Sequence, residues 1–460
     1  MKLFNKDFIN KINLLGLSIY ALLMPIMQNP YKPFLGNSFL LGKIQLVDII
    51  FLFISPFVII EFILDRKNIF AKYKLQIIGV LTYTLSILFS IKDSNALEGF
   101  IQLISAIYLS LLLLTFFIVI KTKKQFLFIG KSIIVGALIS VIFSIIGLLL
   151  FYIFDYSWPF IIQENKVFPY LGEVARLTGT FKPTAKLLSS YLTLLIPSFI
   201  SLSVISRDIY KYLFLFLTIV SLMIYPFTLS RGIVGLFFSL AFLFSYLKNS
   251  GFIEKIFFKF LSISFVLFFA ITSILSTIHI SDISTDYSFD GNLNHPKTVY
   301  FYFDPDKGME KISTEISFAK DHYYWLKKSS IIVFNNNPFG VGIGNFSKSL
   351  KSLEKENLIP QGLSRHPTPQ SEFLYAAAER GFLGVISIII LFFSWIFPLI
   401  KNRKNLLVFS ALGSLISICF IDSIHLEITK FRFLWFFVGF IIVFAKDFRF
   451  DNEKKISNQN

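Results

Sequence analysis

Long apolar runs separated by short polar breaks dominate the chain. A helix crossing a bilayer core of roughly 30 Å needs about 20 apolar residues. Runs of that order lie at 10–27, 44–64, 75–91, 97–120, 127–153, 185–205, 211–229, 232–247, 256–278, 382–400, 404–422 and 432–446. The pattern predicts an all-α polytopic membrane protein with about twelve transmembrane helices, in one domain over 1–460. The runs 232–247 and 432–446 are short, and read as tilted partners or re-entrant segments.

The breaks between runs orient the chain. With the N-terminus in the cytoplasm, every inside break is basic: Lys2 to Lys11, Arg66 to Lys74, Lys121 to Lys124, Arg207 and Lys211, Lys248 to Lys259, Lys401 to Lys404, and Lys446 onward. The short outer breaks hold fewer cations, among them Lys32, Lys43, Lys92, Lys430 and Arg432. This asymmetry predicts a bacterial inner-membrane protein with both termini cytoplasmic. Two outer connections are long, 154–184 and 279–380, the second lying between helices 9 and 10 as a large periplasmic loop. Within it 315–334 reads as an amphipathic surface helix carrying His322 and Trp325, and 280–310 as irregular loop.

Composition agrees with this pattern. Hydrophobic residues make up 55% of the chain, with 58 phenylalanines, which excludes an ordinary soluble domain. The net charge of +16 is scattered between apolar runs and forms no basic face, so the partner it implies is the lipid bilayer, with no nucleic acid. The single cysteine, Cys419, permits no intramolecular disulfide and no cysteine-based metal site.

Candidate chemistry sits in the outer connections. Arg231 follows Ser230 at the end of an apolar run, where a cation is either an interfacial anchor or faces a cavity. Arg176, with Lys182 shortly after, gives a second cation on the same face, and two guanidiniums can grip an anion bidentately. The stretch from Arg365 to Gly384 holds His366, a candidate general base, and a helical pattern placing Glu372 and Glu379 on one side. Glu379 beside Arg380 also fits a plain interfacial ion pair. Gly340, Gly342 and Gly344 form a turn whose backbone can approach a phosphate or sugar closely. Asp304 and Asp306 flank a proline and read as a turn before they read as a metal site.

These pieces, in this order, resemble the O-antigen ligase and polymerase superfamily of envelope glycan assembly. The resemblance rests on Arg176 to Phe181, Ser230 to Gly232, Asn337 to Gly342, and a helix ending Glu379 to Gly384. It implies a glycosyltransferase taking a glycan from an undecaprenyl-pyrophosphate-linked donor. The acceptor hydroxyl belongs to the lipid A core for a ligase, or to another lipid-linked repeat unit for a polymerase. It implies Arg176, Arg231, His366, Gln370 and Glu372 as catalytic candidates. Lys182, Ser230, His322, Gly340, Gly342, Gly344, Arg365 and Glu379 are the substrate-binding candidates, and neither cofactor nor metal is implied.

One departure matters. Gln370 stands where the family usually has its histidine, so the base is His366, or Gln370 positions the acceptor, with Glu372 next in line. A lipid-linked glycan transporter is the competing class. The hundred-residue outer loop and the lack of an internal repeat favour an enzyme.

Overall fold

The computed structural model describes residues 6–26, 46–92, 95–156, 161–168, 172–181, 185–230, 232–247, 299–304, 308–313, 318–360, 362–366 and 368–448, without side chains over 163–173 and 299–324. The described chain is mostly helical. Helices α1 (Lys6–Leu23), α2 (Leu46–Leu88), α3 (Ala96–Val119) and α4 (Lys123–Phe154) precede a hairpin of β1 (Ile162–Phe168) and β2 (Gly172–Leu177). Then come α5 (Ala185–Ile205), α6 (Asp208–Ile224) with a 3-10 turn Tyr225–Thr228, and α7 (Ile233–Leu247). A second hairpin, β3 (Val299–Asp304) and β4 (Gly308–Ser313), leads to α8 (Phe318–Asn336), α9 (Phe346–Lys355) and α10 (Glu372–Lys401). Last are α11 (Leu406–Ile416), short turns through Lys430, and α12 (Arg432–Asp447).

Among the described residues, seven helical stretches are long and apolar enough to cross a membrane, on α2, α3, α4, α5, α6, α10 and α11. The packing has the polarity of a membrane protein. Phe53, Phe89, Phe154, Phe382, Leu383 and Ile386 are exposed, whereas Asp48, Glu61, Ser190, Thr193, Glu372 and Asp422 are buried. A surface this apolar around a polar interior is stable against lipid tails and not against water. Buried hydroxyls bond back to the preceding turn, as Thr193 does to Ser189 O and Thr218 to Phe214 O, so they need no distant partner. The most enclosed of the seven is α5, which packs against α6, α7 and α11.

Three features depart from the sequence pattern. First, the runs 44–64 and 75–91 join into one helical stretch, because no glycine or proline separates them; it breaks only at Tyr73 (φ −116°, ψ 26°). There the Lys446 amine donates to Lys72 O at 2.7 Å and the Tyr73 hydroxyl to Asp447 at 2.8 Å. Second, both long connections expected on the outer side contain antiparallel hairpins, so the chain is not purely α-helical. In the first hairpin Arg176 pairs with Glu164 across the strands. In the second Asp304 pairs with Gly308, within the stretch expected to be irregular. Third, the segment before α10 is a folded unit and no bare loop: Leu326, Val333, Phe346, Leu350, Leu353 and Leu363 pack together with Ala378 of α10. The expected span 256–278, together with Lys182, Arg231 and Asp306, lies outside the described residues.

Candidate functional site

The start of α5 draws distant parts of the chain together. Its Ser189 hydroxyl donates to Ser230 Oγ at 2.8 Å, fixing the turn that carries the Ser-Arg-Gly motif. One helical turn earlier, Lys186 Nζ donates to Gln370 Oε1 at 3.1 Å. Around that contact lies an open cavity of about 320 Å³, lined by Lys186, Gln370, His425, Glu427 and Lys430. Leu187, Leu426 and Phe431 give it apolar walls.

Two non-glycine residues beside these contacts hold left-handed backbone, Leu229 (φ 46°) and Gln370 (φ 52°). That conformation costs an L-residue about 1–2 kcal/mol and persists only where neighbours enforce it. Here the enforcing contacts are the two bonds to α5 and the burial of Ser371 and Glu372 directly after Gln370.

The connection between α11 and α12 supplies the opposite wall, and it is pinned from both ends. At one end Ser190 Oγ of α5 donates to Asp422 Oδ2 at 3.1 Å, and His425 N closes the turn on Asp422 O at 2.9 Å. Glu372 accepts from Thr429 N at 3.0 Å and from Thr429 Oγ1 at 2.8 Å, and the Trp435 indole donates to Thr429 O at 2.8 Å. On this wall Glu427 takes a charge-assisted bond from Lys430 at 2.6 Å, and Lys430 lies over the Tyr375 ring. Lys327 of α8 reaches His425 Nδ1 at 3.5 Å, so the segment before α10 also touches the site.

The sequence-predicted residues separate into groups. Gln370 lines the cavity, whereas Ser230 is held to Ser189 on the same first turn of α5, outside the lining. His366, half-buried beyond the 3-10 turn Leu363–Arg365, is not among the lining residues. Burial pulls its imidazole below the ordinary histidine value. Arg365 is exposed. Arg176 sits on β2, between Ala175, which packs on Phe151, and Leu177, which is fully buried. The His322 side chain lies outside the described residues, although its backbone is part of α8.

Glu372, Glu379 and the glycine turn are engaged by the protein itself. Glu372 holds Thr429 and stands 4.0 Å from Arg380, so the arginine's partner is Glu372 and not its neighbour Glu379. The Arg380 guanidinium also donates to Ser86 at 3.1 Å and lies over Tyr83. Glu379 instead accepts from Gly344 N at 2.9 Å and Phe346 N at 3.4 Å. The amides of Val341, Gly342 and Ile343 bond to Ala378 O, Glu379 O and Ser90 O. These glycines therefore dock the turn on α10 and α2; a Cβ at Gly340 would stand 2.4 Å from Glu379 O.

Sequence reasoning missed Lys186, Lys327, His425 and Glu427. The signal for two of them was a polar cluster, Asp422 to Arg432, set between two apolar runs. Compared with known proteins, the chain matches no family model and no curated protein.

Proposed function

We propose that this chain is an O-antigen ligase-like membrane glycosyltransferase, working at the outer face of the bacterial inner membrane on about twelve spans. The observation that carries this reading is the double clasp at the start of α5. Ser189–Ser230 and Lys186–Gln370 bring two of the segments that resemble the family to the same first turn of α5, beside the cavity, although they are far apart in sequence.

The chemistry follows from charge. Leaving pyrophosphate gains negative charge in the transition state, and fixed cations in a poorly hydrated site stabilise it. Lys186 and Lys430 line the cavity, and Arg231 follows the clasped Ser230. Arg176 and Lys182 lie on the connection that leads into α5, and this reading keeps them as further cations for the donor. Phe431 and the leucines offer apolar surface to a sugar ring or to the first prenyl units. The donor in this proposal is an undecaprenyl-pyrophosphate-linked glycan. The acceptor is a lipid A core hydroxyl, or a second lipid-linked unit if the enzyme polymerises.

Gene deletion followed by gel analysis of surface glycans and lipid-linked intermediates tests the proposal. Long chains held on the lipid carrier beside bare acceptor identify a ligase. Single capped units identify a polymerase. An unchanged profile would refute both. Complementation with Arg231→Ala should fail to restore the profile while the protein still inserts.

A further inference from the structure

Glycosyl transfer onto a hydroxyl needs a group that takes the hydroxyl proton, and the cavity offers few. Lys186 and Lys430 are ammonium donors, to Gln370 and to Glu427, and offer no lone pair. The Gln370 amide has no basic atom at such a pH. Glu427 is held by Lys430 at 2.6 Å, a far closer contact than the 3.5 Å between Lys327 and His425. Glu372, the remaining nearby carboxylate, is buried behind the wall and holds Thr429. What remains is His425.

We propose that His425 is the catalytic base of the transfer that the reading above assigns to this cavity. It sits on a wall held at Asp422 and at Thr429, so the ring is carried by fixed backbone and not by a mobile loop. Lys327 Nζ, which can only donate, stands 3.5 Å from Nδ1, a contact that fits a lone pair on that nitrogen and is long enough to give way to an acceptor hydroxyl. In the reaction the acceptor oxygen bonds to the anomeric carbon as the bond from that carbon to the pyrophosphate oxygen breaks. The bonding pair leaves with the pyrophosphate, and the hydroxyl proton passes to Nδ1. The imidazolium then returns its proton to water.

This rests on the glycosyltransferase reading, and the test separates the two. Lipid-linked glycan from the deletion strain is supplied as donor to the full-length protein in nanodiscs, with the cell's own acceptor. Initial rates are measured between about pH 5 and 8, where histidine titrates. His425→Gln should lower kcat by about 10²- to 10⁴-fold, the range for loss of a general base, with KM for the donor little changed. Its residual rate should lose the acid limb of the pH profile. Adding Gln370→His to His425→Gln puts an imidazole back in the same cavity and should restore part of the rate with a new acid limb, which a folding defect would not allow. His425→Gln with an unaltered pH profile would overturn the assignment while leaving the transfer reaction standing. A wild-type protein that transfers no glycan would overturn the functional reading and this inference with it.

Discussion

Replacing Glu372 by alanine isolates the contact that holds the cavity wall. Glu372 and Arg380 are 1% and 4% exposed, and their charged groups lie 4.0 Å apart inside the protein. Glu372→Ala leaves the Arg380 guanidinium with Ser86 and the Tyr83 ring as its remaining contacts in this cluster. An uncompensated buried charge costs about 3–5 kcal/mol, and these two contacts favour the lower end. The same substitution strips the buried Thr429 amide of its acceptor, adding about 1 kcal/mol or more. The expected loss is therefore about 4 kcal/mol.

A second substitution decides whether that account is right. Changing Arg380 to methionine in the Glu372→Ala background removes the stranded charge, and apolar replacement of a buried pair is often nearly neutral. The double variant should therefore regain about 2 kcal/mol over the single one, a coupling of the size seen between touching residues. Fluorescence-monitored denaturant titration in mixed micelles suits the measurement, because the Trp435 indole bonds to Thr429 O and senses this wall directly. A single variant within about 1 kcal/mol of wild type, or a double variant no more stable than the single, would refute the reasoning.

Other expectations can be checked on the same preparation. Gly381→Ala places a Cβ 2.3 Å from Pro338 O on a backbone at φ 64°, which should cost about 1–3 kcal/mol from strain alone; an unchanged melting temperature would contradict it. The folded chain holds the His366 imidazole below its ordinary value, so the unfolded chain binds the proton first. Stability should therefore be full above about pH 6.5 and fall as the pH drops further, a slope that His366→Asn should reduce in melting curves recorded against pH. Lys186→Ala should lower transfer by about 10²-fold through loss of one transition-state cation, with Lys186→Arg retaining more; equal rates for both variants and wild type would remove Lys186 from the site.

Apolar run length made most helices legible, because lipid-facing and core-facing positions are both apolar and a run of sufficient length leaves little else for the backbone to do. The continuous α2 was not legible. Lys72 and Lys74 look like a loop, yet nothing in that stretch stops a helix, and its break at Tyr73 is held by Lys446 from the far end of the chain. The hairpins were also hidden. Residues 162–177 read as an outer loop, while Ile162 and Ala175 pack on Phe151 and Val174 on Phe227. Strand pairing depends on these non-local contacts more than on local propensity.

The site was legible where backbone shape matters and obscure where charge matters. The glycine turn announced a close approach, which proved to be to α10 and not to an open cleft. Cations near span ends carry two meanings in one sequence: topology, which needs only the charge, and recognition, which needs a position in space. Lys186 and Lys430 satisfy the first meaning wherever they point, so their spacing says nothing of the second. Only the bond to Gln370 and the pinned turn at Thr429 show that the two lysines share a cavity with His425. A functional group at a membrane interface is thus identified by what fixes it: a lysine held by an amide in strained backbone is a better candidate than an arginine known only from its motif.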